Sequence, residues 1–211
     1  MQMQDEQLMN QQPEAQEESQ KPEKEKKNPF KELLSWIFTL GMAVVIAFSI
    51  RTFLFEPVRV DGSSMCDTLA DGEIMVVTKP EYLFGDPQVG DVVICHYPGR
   101  GNTNFVKRVI GVPGDTIQIQ NNVVYRNGEP MEEPYLNPER NKDPRNDIAA
   151  PFVLGEDEYF VAGDNRDNSH DSRNYHTNWL TGSTPSAITR DMIKGHVRWV
   201  VFPFNNLRSI D

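Results

Sequence analysis

Two cysteines, Cys66 and Cys95, are all that this 211-residue chain contains. They make no disulfide framework, and their spacing fits no zinc pattern. Histidine is as scarce. His96, His170, His176 and His196 are scattered, with no HExxH or comparable ligand pair, so neither a metal nor any other cofactor is expected. Positive charge is also short: the formal net charge is −10. That argues against a nucleic-acid binder, which needs a basic face. The first 32 residues hold five lysines and eight acids, so the acidity is spread along the chain and reads as solubility. No internal repeat is found, and no long amphipathic helix follows residue 55.

What is present begins with a polar tail. Residues 1–28 are rich in Gln, Glu and Lys, too polar to offset the entropy of ordering; disorder is expected there. From Leu33 to Ile50 runs an 18-residue stretch without one charge. It spans about 27 Å as a helix, and Phe53, Leu54 and Phe55 extend it if Arg51 snorkels. The only A-x-S-like tripeptide, Ala47-Phe48-Ser49, lies inside the stretch instead of after it, which favours an uncleaved anchor over a removable secretory signal. Lys21, Lys24, Lys26, Lys27 and Lys31 crowd its N-terminal side, while only Arg51 and Arg59 lie comparably close on the other. The positive-inside rule then predicts a single pass with the N-terminus cytoplasmic. The division expected is a disordered tail over 1–30, an anchor over 31–55 and an extracytoplasmic domain over 56–211.

That domain reads as β. Short β-branched runs between turn signals predict strands at Ile74–Thr78, Asp91–Cys95, Phe105–Ile110, Thr116–Gln120, Val123–Arg126, Tyr159–Ala162 and His196–Phe202. Asn121-Asn122 suits a tight hairpin turn, and Asn127-Gly128 marks the next reversal. Residues 129–151, rich in Pro, Asn and charge, read as a long surface excursion. The expected fold class is mainly β, a largely antiparallel sheet domain on a single N-terminal transmembrane helix.

Three segments carry more chemistry than a scaffold needs. In Val60-Asp61-Gly62-Ser63-Ser64-Met65-Cys66-Asp67-Thr68-Leu69, a Gly-Ser-Ser turn can expose a hydroxyl and leave backbone N–H groups facing an oxyanion. By itself it is more often only a turn. In Asn104-Phe105-Val106-Lys107-Arg108-Val109-Ile110-Gly111-Val112-Pro113-Gly114-Asp115, strand alternation puts Phe105, Lys107 and Val109 on one face and Arg108 on the other. Lys107 then sits where a lysine can be desolvated and lose its proton; the bland reading is an edge-strand lysine that discourages aggregation. The third, Gly163-Asp164-Asn165-Arg166-Asp167-Asn168-Ser169-His170-Asp171-Ser172-Arg173, reads as a self-bonded scaffold. A calcium loop built on Asp164, Asp167 and Asp171 lacks the EF-hand spacing, and two arginines repel the ion.

These segments, in this order behind one anchor, resemble type I signal peptidases. The resemblance covers roughly residues 33–204, including a closing strand through Ile193-Lys194-Gly195 to Phe202-Pro203-Phe204. It implies Ser64 as nucleophile and Lys107 as general base, with Ser169 orienting the amine. Asp171 and Arg173 stiffen the site, and Asp164 and Arg166 open the same scaffold. Val58, Val60, Met65 and Val106 line the substrate groove, and Gly62 with the Ser64 N–H forms the oxyanion region. The implied substrates are signal peptides of exported preproteins, with the lipid bilayer and the export machinery as partners. A lysine base near neutral pH requires about 3–4 kcal/mol of ammonium destabilisation.

Two positions depart from the family pattern. Gly62 stands where many members have Ser, and Asp67 stands where Pro is usual; the Asp67 carboxylate is expected to meet backbone donors or solvent, away from Lys107. Two other readings are an anchored, inactive β domain that binds peptides, and a Ser-Lys self-cleaving regulator. Intact Ser64, Lys107 and Ser169 oppose the first; the anchor opposes the second. Placement outside the cytoplasm permits a Cys66–Cys95 disulfide, and the sequence leaves that open.

Overall fold

The structure is a computed structural model that describes residues 29–96, 103–143, 147–173 and 187–210. The tail expected over 1–30 lies almost wholly outside these residues, as does His176. The described chain divides between Ala43 and Val44 into two compact units. The first is the N-terminal part of helix α1 (Pro29–Phe53). Its side chains, Trp36 and Phe38 among them, are exposed. The whole helix has 25 residues, about 37 Å at 1.5 Å per residue, and it is long and apolar enough to cross a membrane.

The second unit holds the end of α1 and every strand among the described residues: β1 (Phe55–Arg59), β2 (Ile74–Thr78), β3 (Val92–Cys95), β4 (Phe105–Gly111), β5 (Thr116–Gln120), β6 (Val123–Arg126), β7 (Glu129–Pro130), β8 (Ile148–Val153), β9 (Glu158–Ala162), β10 (Ile188–Thr189), β11 (Ile193–Phe202) and β12 (Arg208–Ser209), with a one-turn helix α2 (Glu81–Phe84) after β2. The larger sheet has the order β1-β2-β11-β3-β4-β9-β10, with β12 on β11; the smaller runs β7-β6-β5-β8. Every pairing is antiparallel. The fold is mainly β, as expected.

Asn121 and Asn122 both take positive φ, 51° and 63°, the twist that a two-residue hairpin between β5 and β6 requires. Alternating residues bury three apolar clusters. One packs Val60, Met65, Leu69, Val77, Ile94 and Ile210 together. A second gathers Val93, Cys95, Val109 and Val161, and a third joins Ile110, Ile117, Phe160 and neighbours.

Two expectations need correction. The helix ends at Phe53, and Phe55 already pairs with Thr78 in β1, so Leu54 and Phe55 do not extend it. β1 contains Pro57 and lies at a sheet edge, where a missing N–H is tolerated. The 129–151 excursion is not all surface loop: β7 pairs with β6, and β8 pairs with β5 from Ile148 onward. β8 carries Pro151 and is again an edge strand.

Candidate active site

The turn after β1 folds around Gly62, whose φ of +97° is open to glycine and strained for other residues. Its N–H donates to Asp71 Oδ1 at 2.8 Å. The backbone at this position therefore favours glycine over any other residue. Beyond it Met65 and Leu69 drop into the apolar core and hold Ser64, half-buried, above them.

The third motif clamps this turn from the other side. Asn165 N–H donates to the Ser64 carbonyl and Asn165 Nδ2 to the Ser63 carbonyl, both at 3.0 Å. Asn168 Nδ2 donates to Ser63 Oγ at 2.7 Å, so the Ser63 hydroxyl is engaged away from the lysine. Gly163 makes the close approach possible. A Cβ there would lie 2.6 Å from Ser169 Cβ, and still nearer to Ser169 Oγ and the Ser64 carbonyl.

Lys107 reaches the turn from β4, which runs between β3 and β9; the edge-strand reading is therefore excluded. Its Nζ donates to Ser64 Oγ at 2.7 Å and to Val106 O at 2.7 Å. The side chain is only 2% exposed. Burial holds its ammonium below the ordinary 10.5, against an upward pull from Asp171. Cys95 is also buried nearby, and burial pushes its thiol up to about 12. At neutral pH it therefore carries no charge to hold the lysine protonated. Cys66 and Cys95 are both free thiols.

Asp171 supports this arrangement. Burial pushes its carboxyl up, but the charge and hydrogen bonds of Arg173, with the Gly163 N–H and the Ser169 hydroxyl, more than reverse this. Ser169 Oγ donates to Asp171 Oδ2 at 2.5 Å. The lysine's own hydrogen bonds go to Ser64 and Val106, so a direct Ser169–amine bond is not among them. The loop is bonded to itself, with Arg166 Nε donating to the Gly163 carbonyl at 3.1 Å and Arg173 to the Arg166 carbonyl at 3.0 Å, and Asp164 and Arg166 also reach outward. Asp164 takes a bidentate pair from Arg108 at 3.0 and 2.8 Å and the Thr68 hydroxyl at 2.5 Å. Arg166 pairs with Glu133 at 2.5 Å. Asp167 accepts the N–H groups of Lys142 and Asp143. The three carboxylates of the calcium reading thus each serve a different partner.

Several of these contacts have no local sequence signal. Glu133, Asn137 and Arg140 bring the 129–151 segment onto the site. Asn137 Nδ2 donates to Asp67 Oδ2 at 2.7 Å, and Arg140 lies 3.3 Å from the other oxygen. Of the two expectations for Asp67 the solvent-facing one holds: the residue is exposed and meets side-chain donors, not backbone N–H groups. From the far end of the chain, Arg208 donates to Thr68 O and to the buried Glu73, each at 2.7 Å. Asn165 and Thr68 stand inside the motifs, and their polarity was the available clue.

Beside Ser64 and Lys107 lies a groove of about 320 Å³, lined by Val58, Val60, Gly62, Met65, Ile94 and Val106 among others. The Ser64 N–H has no protein acceptor among the described residues. A buried amine beside a hydroxyl, at the end of an apolar groove, can activate that hydroxyl against a carbonyl bound in the groove.

A sequence profile described as signal peptidase, peptidase S26, matches residues 33–202. Signal peptidase I of Bacillus licheniformis is 38% identical over 194 residues, which cover 90% of this chain and 99% of that protein. Signal peptidase I T of Bacillus subtilis is 37% identical over 196 residues, covering 90% and 95%. A solved signal peptidase I from Enterococcus faecalis is 28% identical with a TM-score of 0.40, covering 53% of this chain and 97% of that one. The profile and the curated relatives make this chain a hydrolase of the serine peptidase class. It belongs to the signal peptidase family, peptidase S26, and its function is that of a signal peptidase. The apolar helix α1 fits a membrane-associated member.

Proposed function

We propose that this chain removes N-terminal signal peptides from exported proteins with a Ser64–Lys107 dyad. The observation that carries the reading is the 2.7 Å contact between the buried Lys107 amine and Ser64 Oγ. The neutral amine takes the Ser64 proton as Oγ attacks the scissile carbonyl. The carbonyl oxygen becomes an oxyanion facing the Ser64 N–H, with Gly62 leaving room beside it. The C–N bond then breaks, Lys107 returns the proton to the leaving amine, and an ester on Ser64 remains. Water, deprotonated by the same amine, hydrolyses that ester. Asp171, Arg173 and Ser169 act as positioning residues behind the amine, and Asp164 and Arg166 tie their loop to the neighbouring elements.

Val58, Val60, Met65 and Val106 make the groove apolar and shallow, which favours small side chains at the first and third positions before the cut. α1 crosses the cell membrane once with the lysine-rich tail cytoplasmic, so the catalytic domain meets preproteins as the export machinery delivers them. Incubation of the purified chain with a preprotein tests the proposal. Ser64→Ala and Lys107→Ala are expected to abolish processing, and Ser63→Ala to leave substantial activity. A dead Ser63→Ala beside an active Ser64→Ala would move the nucleophile by one residue.

A further inference from the structure

The groove beside Ser64 continues into a second cavity. Val58, Ile94 and Asn104 line both, and the second, also about 320 Å³, is completed by Glu56, Val77, Lys79 and Lys194. We propose that this second cavity receives the side chain of the fifth residue before the scissile bond and selects a hydrogen-bond acceptor there, amide or carboxylate, over a cation. The inference rests on the signal peptidase reading and adds a recognised position to it.

Strand geometry supplies the position. Among the described residues β1 pairs only with β2, which leaves its other edge for an extended peptide. Along β1, Glu56 and Val58 share one face, with Phe55, Pro57 and Arg59 more exposed on the other, and Val60 continues the first face into the groove. A peptide laid alongside presents alternate side chains to one face at intervals of about 6.6–6.8 Å. With the first residue before the cut at Ser64, Val60 and Met65, the third reaches Val58 and Ile94, and the fifth reaches Glu56. Chain connectivity gives the direction. β1 begins two residues after α1 ends, and the apolar part of a signal peptide lies upstream of its cleavage site. The upstream side of the substrate therefore runs along β1 toward Phe55.

Charge supplies the preference. Lys79 pairs with Glu56 at 2.7 Å, which leaves the second ammonium, Lys194, unmatched by a carboxylate of the cavity. Lys194 Nζ has three hydrogens and donates to Asp191 O at 2.8 Å, so it retains donors for a ligand. Asn104, at the boundary between the cavities, is held by His96 at 2.6 Å. An acceptor side chain gains a charge-assisted hydrogen bond from Lys194, while a lysine meets like charge.

The test uses the full-length protein in detergent and peptides that differ only in Gln, Glu, Leu or Lys at the fifth position, with Ala at the first and third. Gln and Glu are expected to give the lowest KM, and Lys a KM about two- to fivefold higher, the range of a partly exposed ion pair, with kcat unchanged. Lys194→Glu should reverse the order of Glu and Lys. Lysine moved to the fourth position, where its side chain faces away, should lose the penalty. Equal KM values across the series, an order untouched by Lys194→Glu, or the same penalty at the fourth position would overturn the subsite while leaving the peptidase reading intact. Cleavage of none of the peptides, or cleavage that survives Ser64→Ala, would overturn that reading and the subsite with it.

Discussion

At Lys107 the burial that the proposed chemistry needs works against stability. Burial lowers the pKa of the amine from its ordinary 10.5, so an unfolded chain binds this proton more tightly than the folded one. Stability then rises with pH wherever the unfolded state holds the extra proton. The penalty is fully present below the folded-state pKa and fades as pH climbs to 10.5. Lys107→Met should therefore be inactive yet more stable than the parent protein at neutral pH, and the difference in stability should vanish above about pH 10.5. Denaturant titrations of both proteins across pH check this. A Lys107→Met protein less stable at every pH would mean that the lysine contributes more by its contacts than it loses by desolvation. The same lowering gives activity an acid limb, with processing rising as the amine loses its proton.

At the scale of elements, the turn that carries Ser64 is held from several directions. β4 brings Lys107, the loop after β9 brings Asn165, and the strap ending in β12 brings Arg208 to Thr68 O and Glu73. Arg208 lies beyond the residues matched by the family profile. Arg208→Ala leaves the 3% exposed Glu73 without its cation. A stability loss of about 1.5–3 kcal/mol is expected, the range for a hydrogen bond to a charged group. Since Thr68 also donates to Asp164, kcat should fall as well. Urea titration and preprotein kinetics on the same sample test both effects, and unchanged stability would show that Asn206 and the Ala70 N–H alone satisfy Glu73.

This element also shows where sequence reading stops. Strands β2 to β6, β9 and β11 announce themselves through β-branched runs and Asn or Gly turns, which are local signals. β1 and β8 carry Pro57 and Pro151, which demote a run until its edge position is known. Ser64, Lys107 and the 163–173 loop stand in dense motifs, so the residues that converge around the amine were legible. Their remote partners were not: Arg108 with Asp164, Glu133 with Arg166 and Arg208 with Glu73 are joined only by the packing of distant segments. That Ser169 orients the amine came from the resemblance alone, and its hydroxyl donates to Asp171.

For the whole molecule, the proposed orientation joins anchor to chemistry, because a signal peptide emerging from the bilayer meets the groove only on the extracytoplasmic side. Protease added outside intact cells should cut within 129–151 and spare the lysine-rich tail; cleavage of the tail alone would reverse the topology. The central claim, a Ser64 nucleophile served by a neutral Lys107, is tested most directly by rapid quenching of the full-length protein with a peptide substrate at high pH, followed by mass spectrometric mapping of the acyl group. The account places the acyl ester on Ser64 in the parent protein and none on Lys107→Met, whereas an ester on Ser63, a thioester on Cys66 or undiminished acylation of Lys107→Met would contradict it.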